Sequence, residues 1–286
     1  VSFSAPSVRR SRAEIPVRVL ALAGIVLLVL LLALPCLGLL VRASPRQLFA
    51  SLADPLVRDA LRLSLLTSLA STALVALAGL PAAYVLATRA FPGKRALELL
   101  VDLPMVLPPT VAGFALLMAF GRMGLAGRPL AALGITLPFT TLGVIVAQAF
   151  MAAPFFIGPA RAAFAGIDPR LVDVAATLRA GEWARFRRVI LPLAAPSLRA
   201  GLALAGARAL GEFGATITFA GNLPGTTRTM PLAVYVAMQG DLDAAVVLSV
   251  LLLVMALALL AGLRATGYSR SEGWLRAARS ASPPAG

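Results

Sequence analysis

The chain has 286 residues, 59% of them hydrophobic, with a formal net charge of +14, no histidine and one cysteine. A single cysteine excludes a disulfide framework, and the lack of histidine excludes a Ser/His/Asp triad, a Cys/His pair and a His/Cys metal site. The positive charge does not mark a nucleic-acid-binding protein: it sits in short segments and tails around apolar runs, where it follows membrane topology.

A helix needs roughly 20 apolar residues to cross the hydrocarbon core. Runs of that kind predict spans at about 19–41, 61–88, 103–120, 141–160, 198–220 and 244–263, an all-α polytopic membrane protein of about six helices. The expected organisation is an N-terminal tail at 1–18, a transmembrane domain at 19–265 and a C-terminal tail at 266–286. Arg9, Arg10, Arg12 and Arg18 precede the first run, as in a signal peptide. That run is longer than a signal h-region and lacks a small-residue cleavage site, so it is expected to be retained. Cys36, beside Pro35, reads as a small apolar residue. The second run is long enough to tilt or project.

The third span opens LPMVLPPTVAG. Pro104, Pro108 and Pro109 each lack a donor and disfavour helix at the residue before. Either they start a helix, or this irregular backbone lines a wet conduction path, the one place where it survives at membrane depth. In the fifth span Ala203, Ala207, Gly211 and Ala215 recur every four residues, and Gly206 and Gly214 add gaps for close helix approach. Arg208 and Glu212 are predicted to share one face of that helix. An intramembrane ion pair faces a bundle interior or a wet cavity, so the pair is either structural or part of a pathway. Arg228, in GNLPGTTRTMP, either guides an anion from outside or anchors its loop at the headgroups. The tail after Leu263 is expected to fray.

With both termini inside, 18 Lys or Arg fall on the inner side and 7 on the outer, with Arg208 in a span. This bias places the termini and the 161–197 loop in the cytoplasm. That loop cannot lie in lipid, because Arg179, Arg185, Arg187 and Arg188 would each cost roughly 3 kcal/mol. Asp168 and Pro169 can open a helix at Arg170. Leu171, Val174, Ala175 and Leu178 then form an apolar face, suited either to a partner's groove or to the membrane surface. No phosphate-binding loop is present, and the sole lysine, Lys94, lies in FPGKR, so the chain does not hydrolyse ATP itself.

The 161–197 loop resembles the coupling motif of ATP-binding-cassette importer permeases, E-A-A-x3-G-x9-I-x-L-P. Asp173, Val174 and Ala175 stand at the first three positions, Arg179 at the glycine, and Val189, Leu191 and Pro192 at the last three. Arg at the glycine position resists a left-handed turn, and Gly181, two residues on, is the expected source of flexibility. RALGEFGATITFAGNLPGTTRTMPLAVY, together with FPGK, LPMVLPPTVAGFALL and GRMGLAG, is similar to the signature of molybdate permease subunits. Sulfate permeases share the general pattern. The resemblance covers most of residues 60–240, without the first span.

It implies a type I importer permease fold with two copies of the chain forming the pathway. Two cytoplasmic ATPase subunits carry ATP and magnesium, and an extracytoplasmic molybdate-binding protein delivers the oxyanion. No cofactor or metal is bound by this chain, and tungstate also passes. Coupling falls to Leu171, Asp173, Val174, Ala175, Leu178, Arg179, Ala180, Gly181, Val189, Leu191 and Pro192. The pathway falls to Pro108, Pro109, Arg208, Gly211, Glu212, Gly214 and Thr216, and the outer loop to Asn222 and Arg228. The alternatives are a sulfate or thiosulfate permease and an ATP-independent secondary transporter. Against the second stand the missing inverted repeat and the sparse intramembrane acids available for ion coupling.

Overall fold

The computed structural model describes residues 14–177 and 179–280, with side chains described from 19 to 262; Leu178 lies outside the described residues, as do 1–13 and 281–286. The described residues are helical, without a strand: α1 Glu14–Arg42, α2 Pro45–Ala53, α3 Pro55–Thr88, α4 Lys94–Val106, α5 Pro109–Phe120, α6 Gly127–Ala132, α7 Thr141–Ala165, α8 Pro169–Thr177, α9 Glu182–Arg185, a π-helical turn Phe186–Ile190, α10 Leu191–Leu210, α11 Gly214–Phe219, α12 Met230–Ala237 and α13 Leu242–Ser280. Among the described residues, five stretches are long and apolar enough to cross a membrane: Val19–Arg42, Pro55–Thr88, Thr141–Ala165, Glu182–Leu210 and Leu242–Gly262.

Two expected spans are broken. The 103–120 span divides into α4 and α5, because Leu107 before Pro108 is extended (φ −67°, ψ 132°) and Pro108 and Pro109 supply no donors. The 12 residues of α5 cover about 18 Å, little more than half the bilayer core. The 198–220 span is also two pieces, α10 and α11, separated at Gly211–Phe213. Helix continues upstream of the expected start instead, through α9 and the π turn. Pro192 cannot donate to the Arg188 carbonyl, and the turn before it is widened, with the Leu191 amide bonding Phe186 O. At the other end α13 does not fray at Leu263 but runs on to Ser280. The first helix begins at Glu14, within the segment expected to be a tail.

The centre of the bundle is α3, α7 and α10 packed against one another, with α13 against α10. Small residues make the approach possible. Val75, Ala83 and Leu86 of α3 meet Phe156 and Ala160 of α7 and Ala194, Leu198 and Ala205 of α10 in one buried cluster. A Cβ on Gly79 would lie 2.9 Å from Ile157 and 3.0 Å from Phe156. A second cluster joins Ala112 and Leu116 of α5, Ala147 and Met151 of α7, and Ala215 and Phe219 of α11.

The buried face of α3 also carries Ser64, Thr67, Ser68, Ser71 and Thr72. Most of these hydroxyls donate back to carbonyls of their own helix, as Thr67 does to Leu63 O at 2.8 Å. Ser64 Oγ instead accepts from Met230 N at 2.6 Å, pinning the start of α12 to α3. In contrast, α1 packs on α13 alone among the larger helix contacts, and none of its Val19–Arg42 stretch is buried.

Candidate functional site: a coupling helix, a broken span and an outer loop

The segment that resembles the coupling motif is built around α8. Asp168 Oδ1 accepts from Arg170 N at 2.9 Å, which fixes the start of the helix with Pro169 in its first turn. Its end is a Schellman arrangement: Arg179 N donates to Ala176 O at 3.0 Å and Ala180 N to Ala175 O at 3.2 Å. The residue at the turn is Arg179 itself, in the left-handed region at φ 58°. Gly181 does not supply the turn; it is extended, at φ −63° and ψ 164°. The motif's glycine position therefore keeps its left-handed backbone although arginine occupies it.

None of the described residues of α8 is buried. Leu171 is 48% exposed and Val174 60%, so these two residues of the predicted apolar face stand uncovered among the described residues. Ala175 is half-buried, and Asp173, Thr177 and Arg179 are exposed. The helix is held by the residue between, Val172, which packs against the central cluster. Around it, Tyr84 of α3 meets Phe164 of α7 edge-on at 5.4 Å and Phe186 of the π turn at 5.1 Å. Trp183 stacks on Phe186 at 5.8 Å. Of the motif's last positions, Leu191 packs on the same cluster, Val189 is half-buried and Pro192 is exposed in the first turn of α10. Ile190, the unspecified position between them, is the buried one. These aromatic contacts join the π turn beside α8 to α3 and α7.

The second element is the break in the fifth span. Arg208 and Glu212 do not share one continuous helix, since α10 ends at Leu210 and Glu212 lies in the break. They pair across it, with Arg208 Nη1 2.5 Å from Glu212 Oε2. The second carboxylate oxygen, Oε1, accepts from Ala215 N at 2.8 Å and so satisfies a first-turn donor of α11. Glu212 is 1% exposed, while the Arg208 side chain is 24% exposed. One buried carboxylate therefore does two jobs: it caps the half-helix and neutralises a guanidinium that still reaches open space.

The two broken spans meet here. A Cβ on Gly214 would fall 2.7 Å from Pro109 Cβ, and one on Gly113 would fall 2.6 Å from Ala215 O. The starts of α5 and α11 therefore lie side by side. Pro108 and Pro109 are exposed, as is Gly211, whereas Thr216 is buried and its hydroxyl lacks a hydrogen-bond partner.

The third element is the loop after α11. Leu223 O accepts from the amides of Thr226, Thr227 and Arg228, and Gly221 and Gly225 supply the left-handed residues, at φ 75° and 70°. Arg228 Nε donates to Asn222 Oδ1 at 2.9 Å, so the two predicted outer-loop residues are partners. Phe139, also left-handed at φ 59°, packs within 2.9 Å of where a Gly221 Cβ would stand. Sequence reasoning missed Phe139, Val172, Ile190 and the Tyr84–Phe164–Phe186 cluster. Clustering of aromatics at the helix ends beside the loop was the signal for the last of these.

Residues 76–267 match the family described as the binding-protein-dependent transport system inner membrane component. The chain belongs to this family. The permease is 45% identical over 249 residues, 86% of this chain and 91% of the relative, to "Molybdenum transport system permease protein ModB" of Mycobacterium tuberculosis (strain ATCC 25618 / H37Rv). It is 34% identical over 82% of its length, and 83% of the relative's, to "Probable sulfate transport system permease protein cysT" of Chlorokybus atmophyticus. Its fold is that of a bacterial ABC transporter involved in the import of the acidic polysaccharide alginate, with a TM-score of 0.73 at 17% identity, covering 91% of this chain and 97% of the other. The permease is a multi-pass inner-membrane protein and a non-catalytic subunit.

Proposed function

We propose that this chain is the membrane-spanning subunit of an ATP-driven molybdate importer that also carries tungstate. Two copies enclose the pathway, and two cytoplasmic ATPase subunits bind ATP and magnesium, which this chain does not. An extracytoplasmic binding protein delivers the anion near the Asn222–Arg228 loop. Both termini and α8 face the cytoplasm, an orientation that the distribution of Lys and Arg supports.

The observation that carries this reading is the geometry of α8. One side is bolted to the bundle through Val172 and the aromatic cluster, while Leu171 and Val174 stand uncovered. An exposed apolar helix face on a rigid mount is the form a groove-docking helix takes. Closure of the ATPase pair pulls on α8, and the motion reaches α10 and the break at Gly211–Phe213. There Arg208, partly open and paired with Glu212, meets the passing oxyanion. Its counter-charge keeps the contact weak enough for release, because an unpaired guanidinium in a water-poor site would hold a dianion tightly.

The sulfate alternative is of the same mechanism and rests on the 34% identity to a relative named for sulfate. Both anions are tetrahedral and doubly charged, so pore charge does not separate them; the higher identity over more of the chain favours molybdate. The test is uptake by proteoliposomes holding the permease, its ATPase and the binding protein. ATP-dependent molybdate uptake that excess sulfate leaves unchanged supports the proposal, and ATP-dependent sulfate uptake in its place moves the substrate to the alternative.

A further inference from the structure

We infer that the permease binds the headgroup of an anionic phospholipid of the cytoplasmic leaflet, in the cavity between the end of α3 and the α9–π-turn segment. The inference rests on the proposed orientation, with α8 in the cytoplasm. The cavity has a volume of about 590 Å³, within the range of small-molecule sites. Its floor is apolar, formed by Pro81, Val85, Phe186 and Ile190, and its rim carries Arg89 and Arg185 with one carboxylate, Glu182.

Four observations point to a lipid phosphate. First, Arg89 follows directly on the last residue of a helix long and apolar enough to cross the membrane, which puts the rim at the cytoplasmic end of that span in the proposed orientation. Second, neither Arg89 nor Arg185 forms an ion pair among the described residues, where the ion pairs are Arg161–Glu98 and Arg208–Glu212. The Nε of Arg185 is enclosed without a hydrogen-bond partner, an unsatisfied state for a guanidinium. Third, Trp183 is 71% exposed at the same rim, the placement of an interfacial aromatic anchor. Fourth, the floor continues onto Pro81 and Val85, exposed residues of the spanning helix along which an acyl chain can lie.

Charge selects the lipid class. The rim carries Arg89 and Arg185 against Glu182, so the site is net positive even with the carboxylate counted. A phosphodiester without a headgroup cation fits, and the inner leaflet supplies it. Because Phe186 and Ile190 also belong to the coupling segment, a bound lipid braces the mount of α8 against α3.

The test is native mass spectrometry of the permease–ATPase complex in phosphatidylglycerol, phosphatidylethanolamine or phosphatidylcholine, with molybdate uptake measured on the same preparations. Phosphatidylglycerol is expected to stay bound preferentially. Each of R89Q and R185Q is expected to lower its retention about five-fold, while R89K and R185K retain most of it and all variants keep the ATPase. Equal retention of the three lipids, or no loss in R89Q/R185Q, overturns the inference. Displacement of phosphatidylglycerol by millimolar inorganic phosphate assigns the site to a free anion and overturns the lipid source. Loss of the ATPase from R89Q/R185Q assigns the rim to the protein interface and overturns it as well. Wild-type complex that imports molybdate without lipid preference refutes the lipid site alone. Complex that holds phosphatidylglycerol without ATP-dependent uptake refutes the proposed function alone.

Discussion

Replacing Arg179 by glycine should tighten the end of the coupling helix, and replacing it by alanine should not. Arg179 holds φ 58° to complete the turn after α8. A side chain with a Cβ in that region costs about 1–2 kcal/mol, which glycine escapes. Part of the gain is lost to glycine's greater freedom in the unfolded segment, leaving about 1 kcal/mol, a five-fold shift in the local opening equilibrium. The amides that report it are those of Arg179 and Ala180, bonded to Ala176 O and Ala175 O. Hydrogen exchange of the 169–181 peptide in the purified complex should slow about five-fold in R179G relative to R179A. Because Arg179 is exposed and forms no ion pair among the described residues, R179A should resemble wild type. Equal protection in R179G and R179A would refute the argument that backbone strain at this residue limits the stability of α8.

Further outcomes follow from the broken span and the helix contacts. Glu212→Gln should keep the cap on Ala215 N through its amide oxygen but lose the charge partner of Arg208, so uptake falls while the complex stays assembled. Glu212→Ala removes both contacts and should cost about 3–5 kcal/mol, read as lost thermal stability in detergent. Gly113→Ala places a methyl 2.6 Å from Ala215 O and 2.9 Å from its Cα; separating α5 from α11 should cost about 1–3 kcal/mol, seen as a lower melting temperature. Tyr84→Ala removes the ring that touches both Phe164 and Phe186. It should loosen α8 from the bundle, so that the ATPase hydrolyses ATP with uptake reduced several-fold relative to hydrolysis.

Much of this was legible from residue patterns because membranes and helix ends impose narrow rules. Apolar runs located four of the five long helices and only part of the other, read at 198–220 where the stretch is Glu182–Leu210, and Asp168-Pro169 marked the start of α8 within a residue. The breaks were harder. Pro108 and Pro109 announced an irregular backbone at the head of α5, and the extended Leu107 is what a following proline dictates. At Gly211–Phe213 the glycine-and-alanine periodicity of the fifth span read as one helix. Periodicity records which residues are small, not where the backbone turns. The turn is set by tertiary contacts, Gly214 against Pro109 and Glu212 capping Ala215, that no local pattern encodes. The i, i+4 spacing of Arg208 and Glu212 gave the right pair for a reason that holds only in part. At the coupling loop, spacing identified the glycine position correctly, but residue type misdirected the turn to Gly181. The exposed α8 residues Leu171 and Val174 were visible as an apolar face, whereas Val172, which anchors α8 to the bundle, differs from them only in three dimensions.

In the proposed mechanism, force applied at α8 drives the anion across. The measurement is ATP-dependent molybdate uptake by wild-type and Val174→Asp complexes side by side in proteoliposomes with the binding protein. Val174 is exposed at the docking face, so a charge there should leave the permease folded. It should weaken the ATPase contact and abolish uptake, while wild type accumulates molybdate only with ATP. Full uptake by Val174→Asp with the ATPase still bound, or uptake by wild type without ATP, would contradict it.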